Sequence, residues 1–75
     1  MNKTKLQKEV GARIRKIREE KGISHEELAI SIGKLRTALY RIEAGGVNPS
    51  IYTLRQIAGG LGVKLEELLK ELNSL

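Results

Sequence analysis

Apolar residues recur every third or fourth position through most of this chain, which is the repeat of helices that bury one face. The first apolar stripe comprises Leu6, Val10, Ile14 and Ile17. It predicts a helix from about Thr4 to Lys21, and Gly22 follows in the position where a glycine commonly ends a helix. No stretch of useful length alternates between apolar and polar residues, so the sequence predicts no strand.

A capping pattern marks the start of a second, shorter helix. Ser24 and Glu27 are three residues apart, so each side chain can accept a hydrogen bond from the other residue's backbone amide. Gly33 ends this helix after about two turns. The residues that this helix buries are predicted to be Leu28, Ala29 and Ile32.

A third helix is predicted from about Leu35 or Arg36 to Ala44, with Leu39 and Ile42 facing inward. A loop follows over residues 45–49, because the pair Gly45-Gly46 stops the helix.

Two further apolar stripes complete the predicted helices. Ser50 caps the fourth helix and Gly62 closes it. The buried face of the fourth helix is predicted to comprise Ile51, Leu54, Ile57, Ala58 and Leu61. The stripe of the fifth helix is predicted to comprise Leu65, Leu68, Leu69 and Leu72, with Leu75 as a possible extension. Gly59 and Gly60 lie inside the fourth helix, where either close packing or plain tolerance explains them.

The chain has 75 residues, which suits one small domain with an aliphatic core, since it contains no Phe, Trp or Cys. The predicted fold class is therefore all-α: a compact bundle of five helices with a core over about residues 9–72 and a short basic N-terminal arm.

The positive charge is concentrated at one end of the chain. Residues 1–21 carry eight lysines and arginines and three glutamates, which accounts for the whole net charge of +5. A basic cluster of this kind favours a polyanionic partner, although a solvated helix face has the same composition. A membrane-surface helix is a weaker alternative, because the apolar stripe of this segment is narrow.

Other functional classes lack the residues that they need. With no cysteine and one histidine, the sequence predicts no metal site and no cofactor, and no nucleophile–base pair that would make it an enzyme. It contains neither an apolar run long enough to span a bilayer nor a secretory leader, so the expected location is the cytoplasm.

The second and third helices together make a helix-turn-helix candidate. A small residue, Ala29, stands where the two helices would cross, and Gly33 stands in the turn, which requires a left-handed backbone. The buried wedge between these helices would be formed by Leu28, Ile32, Leu39 and Ile42.

With these residues in place, the chain resembles the Cro/phage-repressor-like helix-turn-helix family, also called the XRE family. The matching segments are residues 14–22, 24–29, 41–43, 48–50 and 57–63. The resemblance implies a single lambda-repressor-like DNA-binding domain over residues 1–75. It also implies a transcriptional regulator that binds operator DNA as a homodimer, either a small repressor or a restriction–modification controller.

The resemblance also implies roles for individual residues. The exposed start of the third helix would read base edges in the major groove. The base-reading residues would be Leu35, Arg36, Thr37, Tyr40 and Arg41. The residues in contact with DNA phosphate would be Ser24, His25 and Asn48. Arg18 and Glu43 would form a structural salt bridge that sets the angle of the third helix.

The sequence departs from the family pattern at three places. Leu35 stands where a Ser or Thr usually caps the third helix, and Lys34 replaces the usual apolar residue after the turn. The loop over residues 44–48 has no Lys or Arg for phosphate contacts, so we expect part of the backbone affinity to come from the basic first helix, Lys3 and Lys5.

One alternative remains open at this point. The same fold serves as an antitoxin or another protein-interaction module, and the leucines of the fifth helix would then bind a partner. Burial of Leu65, Leu68 and Leu69 in the core is the simpler interpretation, whereas exposure of Leu72 and Leu75 would permit a homodimer contact.

Overall fold

Each apolar stripe of the sequence corresponds to a helix in the computed structural model, which describes residues 3–73. The helices are α1 (Lys3–Glu20), α2 (His25–Ser31), α3 (Arg36–Glu43), α4 (Ile51–Leu61) and α5 (Leu65–Leu68). The described residues contain no strand, and the all-α class and the helix-turn-helix at α2 and α3 are confirmed. Over the same residues, no helix combines the length and apolar character that crossing a membrane requires.

Side-chain caps and left-handed glycines set the helix ends. The capping box is complete: Ser24 Oγ accepts from the Glu27 amide at 3.0 Å, and Glu27 Oε1 accepts from the Ser24 amide at 2.9 Å. Gly33 has a φ of 66°, so the turn between α2 and α3 uses the conformation that glycine adopts without strain. Leu35 occupies the cap position of α3 and makes no side-chain cap hydrogen bond.

The core is aliphatic and draws on all five helices. Its buried members are Val10, Ile14, Ile17, Leu28, Ala29, Ile32, Leu39, Ile42, Leu54, Ile57, Ala58, Leu61 and Leu68. Ala29 is 1% exposed, as expected for a small residue where α2 packs against α3. The buried wedge of the helix-turn-helix therefore has the predicted composition.

Two predictions about the second half of the chain are wrong. Ile51 is 65% exposed, although the fourth stripe places it on the buried face. It is the first residue of α4, and it lines an open groove with Leu54 and Leu69 instead of being covered by another element. The periodicity cannot reveal this, because the spacing of apolar residues along a helix does not show whether another element covers its first turn.

The fifth helix is also shorter than its leucine stripe. α5 ends at Leu68, and Glu71 adopts a left-handed φ of 60°, which a continuing α-helix does not allow. Leu69 and Leu72 are nevertheless half-buried and pack against the core, so Leu72 is less exposed than the sequence analysis expects. Leu75 lies outside the described residues. Apolar spacing identifies inward residues but does not determine the backbone between them.

The two glycines inside α4 have different explanations. A Cβ at Gly60 would lie 2.8 Å from side-chain carbons of both Leu28 and Ile32, so its absence lets α2 pack closely on α4. A Cβ at Gly59 would meet nothing within 4 Å, and this glycine is simply tolerated.

Candidate nucleic-acid interface

α3 has one face in the core and the other in solvent. Leu39 and Ile42 are buried, while the predicted base-reading residues are all exposed. Those exposed residues are Leu35, Arg36, Thr37, Tyr40 and Arg41. Because the buried face fixes the rotation of α3, the outer face presents two guanidinium groups, a hydroxyl and a phenol in one direction.

The exposed face of α3 and the start of α2 enclose a shallow cleft of about 440 Å³. The residues that line it are His25, Arg36, Thr37, Tyr40 and Arg41. Four of the five predicted base-reading residues therefore meet one predicted phosphate-binding residue. Leu35 is 76% exposed and does not line the cleft.

His25 occupies the first position of α2 and packs edge-on against Tyr40. The two ring centroids are 6.5 Å apart, with an interplanar angle of 66°. Its Nε2 atom is shielded from solvent and has no hydrogen-bond partner among the described residues. The imidazole therefore joins the two helices at the floor of the cleft through ring contact rather than through a hydrogen bond.

Arg36 meets a carboxylate from the neighbouring helix. Its Nη1 atom lies 3.6 Å from Oε2 of Glu26, and both side chains are more than half exposed. The contact spans the gap between the start of α2 and the start of α3.

Arg18 and Glu43 form a bidentate ion pair, as the family resemblance implies. Arg18 Nε and Nη2 donate to the two carboxylate oxygens at 2.9 and 3.0 Å, and Nη1 donates to the carbonyl of Ile23 at 3.1 Å. The hydrogen bond to Glu43 raises the pKa of Arg18, so the guanidinium stays charged. This geometry ties α1, the segment before α2 and the last turn of α3 into one unit.

Two glycines bring α1 against the end of α3: Gly11, which the sequence analysis did not single out, and Gly45, which it assigned only to the end of the third helix. A Cβ on Gly11 would overlap the carbonyl oxygens of Ile42 and Glu43. A Cβ on Gly45 would lie 2.6 Å from Lys8 Cα, and the Gly45 carbonyl accepts from Gln7 Nε2 at 3.3 Å. A glycine inside a helix costs about 1 kcal/mol of stability relative to alanine. The presence of Gly11 in an otherwise regular amphipathic helix was therefore the signal in the sequence that another element packs closely there.

A second hollow of about 300 Å³ adjoins the cleft on the side of α1. It is lined by Arg15, Arg18, His25, Tyr40, Glu43 and Ala44, so it shares His25 and Tyr40 with the cleft. Arg15 thereby extends the cationic surface beyond α3, a position that the sequence analysis covered only through the charge of the first helix.

The other two predicted phosphate contacts lie in different settings. Ser24 is exposed, and both its hydroxyl and its amide are engaged in the capping box. Asn48 lines a groove with Lys3, Pro49 and Ile51 rather than the cleft. The structure thus groups His25 with the α3 residues and leaves Asn48 apart from them.

Comparison with known proteins adds independent information. The helix-turn-helix family HTH_3 matches residues 14–68, which is most of the chain and includes α2, α3 and α4. The immunity repressor of Bacillus phage phi105 is 37% identical over 62 residues; the match covers 83% of this chain and 43% of the repressor. The chain thus spans less than half the length of that relative.

A control protein and a restriction–modification controller match over nearly their full lengths. Control protein C.MunI from Mycoplasma sp. is 37% identical over 73 residues, which cover 96% of each protein. The controller C.Esp1396I, solved as a tetramer in complex with its natural 35 base-pair operator, superposes with a TM-score of 0.75. It shares 36% sequence identity, and the match covers 87% of this chain and 96% of C.Esp1396I.

Proposed function

The chain belongs to the helix-turn-helix family HTH_3, and on that premise we propose that it is a transcriptional regulator that binds operator DNA sequence-specifically. The relatives named above are a phage repressor, a control protein and a restriction–modification controller, so both roles fit this chain. The proposed regulator acts on DNA in the cytoplasm.

One observation carries the proposal: the cleft between α2 and α3 gathers Arg36, Thr37, Tyr40 and Arg41 on one exposed face. An α-helix fits the major groove, and each arginine can contact O6 and N7 of a guanine with two hydrogen bonds. A good pair of this kind contributes roughly 1–3 kcal/mol of discrimination against the wrong base. Thr37 can donate to or accept from a base edge, and Leu35 can pack on a thymine methyl group.

The phosphate contacts in this proposal come from the elements around the cleft. His25 at the start of α2 faces one DNA strand, with Ser24 and Asn48 as further contacts. Arg15 of α1 lies beside Tyr40 in the adjoining hollow, where it supplies positive charge that the loop after α3 lacks. Arg18 and Glu43 hold α3 at its docking angle.

A homodimer completes the proposed regulator, because one domain of this size reads only half of a two-fold operator. C.Esp1396I was solved as a tetramer on its operator, which shows that a similar chain assembles on DNA. Ile51 and Tyr52 are 65% and 68% exposed at the start of α4, so they are the better candidates for a contact with a second copy than Leu72.

Selection from a random duplex library at physiological salt tests the proposal. We expect an enriched inverted repeat whose half-site centres lie about 10–11 base pairs apart, one helical turn of DNA. Physiological salt is needed because binding to phosphate alone strengthens as salt falls and would mask specificity. A library that shows no enrichment would refute sequence-specific binding.

The second candidate function is that of an antitoxin or other protein-interaction module. The same exposed pair, Ile51 and Tyr52, favours it, since apolar side chains at a helix start also suit a protein partner. An antitoxin expressed without its partner would form heterogeneous aggregates, whereas the proposed regulator gives a single species in analytical ultracentrifugation.

A further inference from the structure

Glu26 is an acidic residue beside the cleft that Arg36 and Arg41 line. It is the second residue of α2, and its carboxylate lies 3.6 Å from the guanidinium of Arg36. The two side chains are 61% and 68% exposed, and exposed ion pairs contribute little to folding stability. An acidic residue in the first turn of α2 also interacts favourably with the helix dipole, but that role does not require a contact with Arg36.

The neighbouring carboxylate shows the contrast. Glu27 accepts from the Ser24 amide at 2.9 Å and so completes the cap of α2. Glu26 has no part in that cap and reaches across to α3 instead. The two adjacent glutamates therefore make different contacts: Glu27 within α2, and Glu26 with Arg36, the first residue of α3.

We infer that Glu26 is a specificity-determining residue, which positions Arg36 for base reading and weakens binding to DNA that offers Arg36 no guanine. The inference rests on the proposed function, because it assumes that Arg36 enters the major groove. Glu26 acts through Arg36 and need not touch a base itself.

The physical basis is a difference between two complexes. A guanidinium has five donors, so Arg36 can contact O6 and N7 of guanine and still face Glu26 with its remaining N–H groups. At a site without guanine, the carboxylate retains its repulsion from nearby phosphates, and no base contact offsets that cost. The repulsion acts only at short range, since the Debye length is about 8 Å at physiological ionic strength.

The test compares Glu26→Gln with a control variant that changes the net charge equally. Glu66→Gln serves as the control, because Glu66 is exposed on α5, which packs on α1 and α4. The probes are the duplex recovered from the random library and a scrambled duplex of the same length and base composition. Dissociation constants are measured by fluorescence anisotropy at physiological salt, and circular dichroism checks that each variant is folded.

For Glu26→Gln we expect affinity for the scrambled duplex to rise about three- to fivefold, the scale of one exposed charge interaction. Affinity for the selected duplex should change less than about twofold. The specificity ratio, which is the affinity for the selected duplex divided by that for the scrambled duplex, therefore falls. Glu66→Gln should leave the ratio unchanged. In an Arg36→Gln background, Glu26→Gln should no longer alter the ratio, because its effect passes through Arg36.

Three results would overturn the inference, and they are distinguishable. An unchanged ratio in Glu26→Gln shows that Glu26 does not determine specificity. A ratio that falls equally with and without Arg36 shows that Glu26 does not act as its positioning residue. If the wild-type chain itself prefers no duplex, the proposed function fails first and the inference fails with it.

Discussion

Arg41 shows how a single side chain on this surface can be tested. It is exposed on α3 and lines the cleft beside Tyr40, whereas Leu39 and Ile42 on the same helix are buried. A substitution at Arg41 therefore changes the outer surface and leaves the core intact.

We predict that Arg41→Gln weakens binding to the selected duplex about tenfold or more, the scale of one lost guanine contact. Lys70→Gln removes the same charge from an exposed residue that follows α5, and it should cost less than about twofold. Titration of a labelled duplex with each variant measures the difference. Equal losses for both variants would mean that Arg41 contributes charge alone.

The pair Arg18 and Glu43 belongs to the same scale, but its effect is on stability. Their side chains are 11% and 7% exposed. Removal of one partner therefore leaves the charge of the other buried and without compensation. We predict that Glu43→Leu lowers the free energy of unfolding by about 2–4 kcal/mol. Urea denaturation measures this loss.

Arg18→Leu combined with Glu43→Leu provides the control for that prediction. We expect the double variant to be more stable than either single variant, because neither charge is then left without its partner. Additive losses in the double variant would show that the two residues do not act as a pair.

At the scale of the element, α2 depends on its cap. Hydrogen bonds from the Ser24 backbone and hydroxyl hold the pKa of Glu27 below the ordinary value of 4.5. A carboxyl whose pKa is lower in the folded state stabilises the fold above its unfolded pKa, and it loses that contribution as the pH falls through the folded value. The stability of α2 should therefore decline below about pH 4.5.

Glu27→Gln isolates this contribution, because the amide oxygen still accepts from the Ser24 backbone but no longer titrates near that pH. We predict that the stability difference between the wild type and Glu27→Gln shrinks as the pH is lowered from about 6 to about 3. Thermal unfolding across this range measures the difference. A constant difference would exclude a role for the ionised carboxylate.

The contact between α1 and α3 is the second test at this scale. A Cβ on Gly11 would overlap two carbonyl oxygens at the end of α3, so the helices would have to separate. We predict that Gly11→Ala destabilises the domain, although alanine ordinarily stabilises a helix by about 1 kcal/mol relative to glycine. Gly59→Ala is the control, because open space surrounds that position and the ordinary gain is expected.

Chemical denaturation of the two glycine variants decides the outcome. A loss of stability in Gly11→Ala together with a gain in Gly59→Ala would support the close approach of α1 to α3. A gain of stability in both variants would contradict it. Since this approach also sets the position of α3, Gly11→Ala is expected to weaken DNA binding together with stability.

For the whole molecule, the distribution of charge determines how binding responds to salt. Arg15 lies in the hollow beside the cleft, on the part of the chain that carries the net charge of +5. If Arg15 contacts a phosphate, its loss reduces the slope of log affinity against log salt by about 1 for each subunit.

We predict that Arg15→Gln reduces the salt slope and weakens binding to the selected and scrambled duplexes by the same factor, since phosphates carry no sequence information. Lys70→Gln again removes an equal charge and should leave the slope nearly unchanged. Binding measured over a range of salt concentrations gives both slopes. A slope that Arg15→Gln leaves intact would place α1 away from the DNA.

Much of the architecture could be predicted because helices of this kind depend on local signals. The stripe spacing, the box formed by Ser24 and Glu27, and the glycines at the turns are interactions between near neighbours, and each is visible in a few consecutive residues. The exposed face of α3 followed from the same periodicity. The roles assigned to its residues came from the family resemblance and stay predictions.

What the sequence by itself determined is the set of helices, their buried stripes and the cationic character of one end of the chain. The tertiary structure decided the contacts between residues that are far apart in the sequence. These are the close approach of α3 to Gly11, which a larger residue would prevent, the contact of Glu26 with Arg36, and the hollow that Arg15 and Tyr40 both line. It also decided that Ile51 faces solvent and that α5 ends after four residues. The reason is physical, since periodicity records which side of an element is apolar, while contacts between elements depend on how the elements pack.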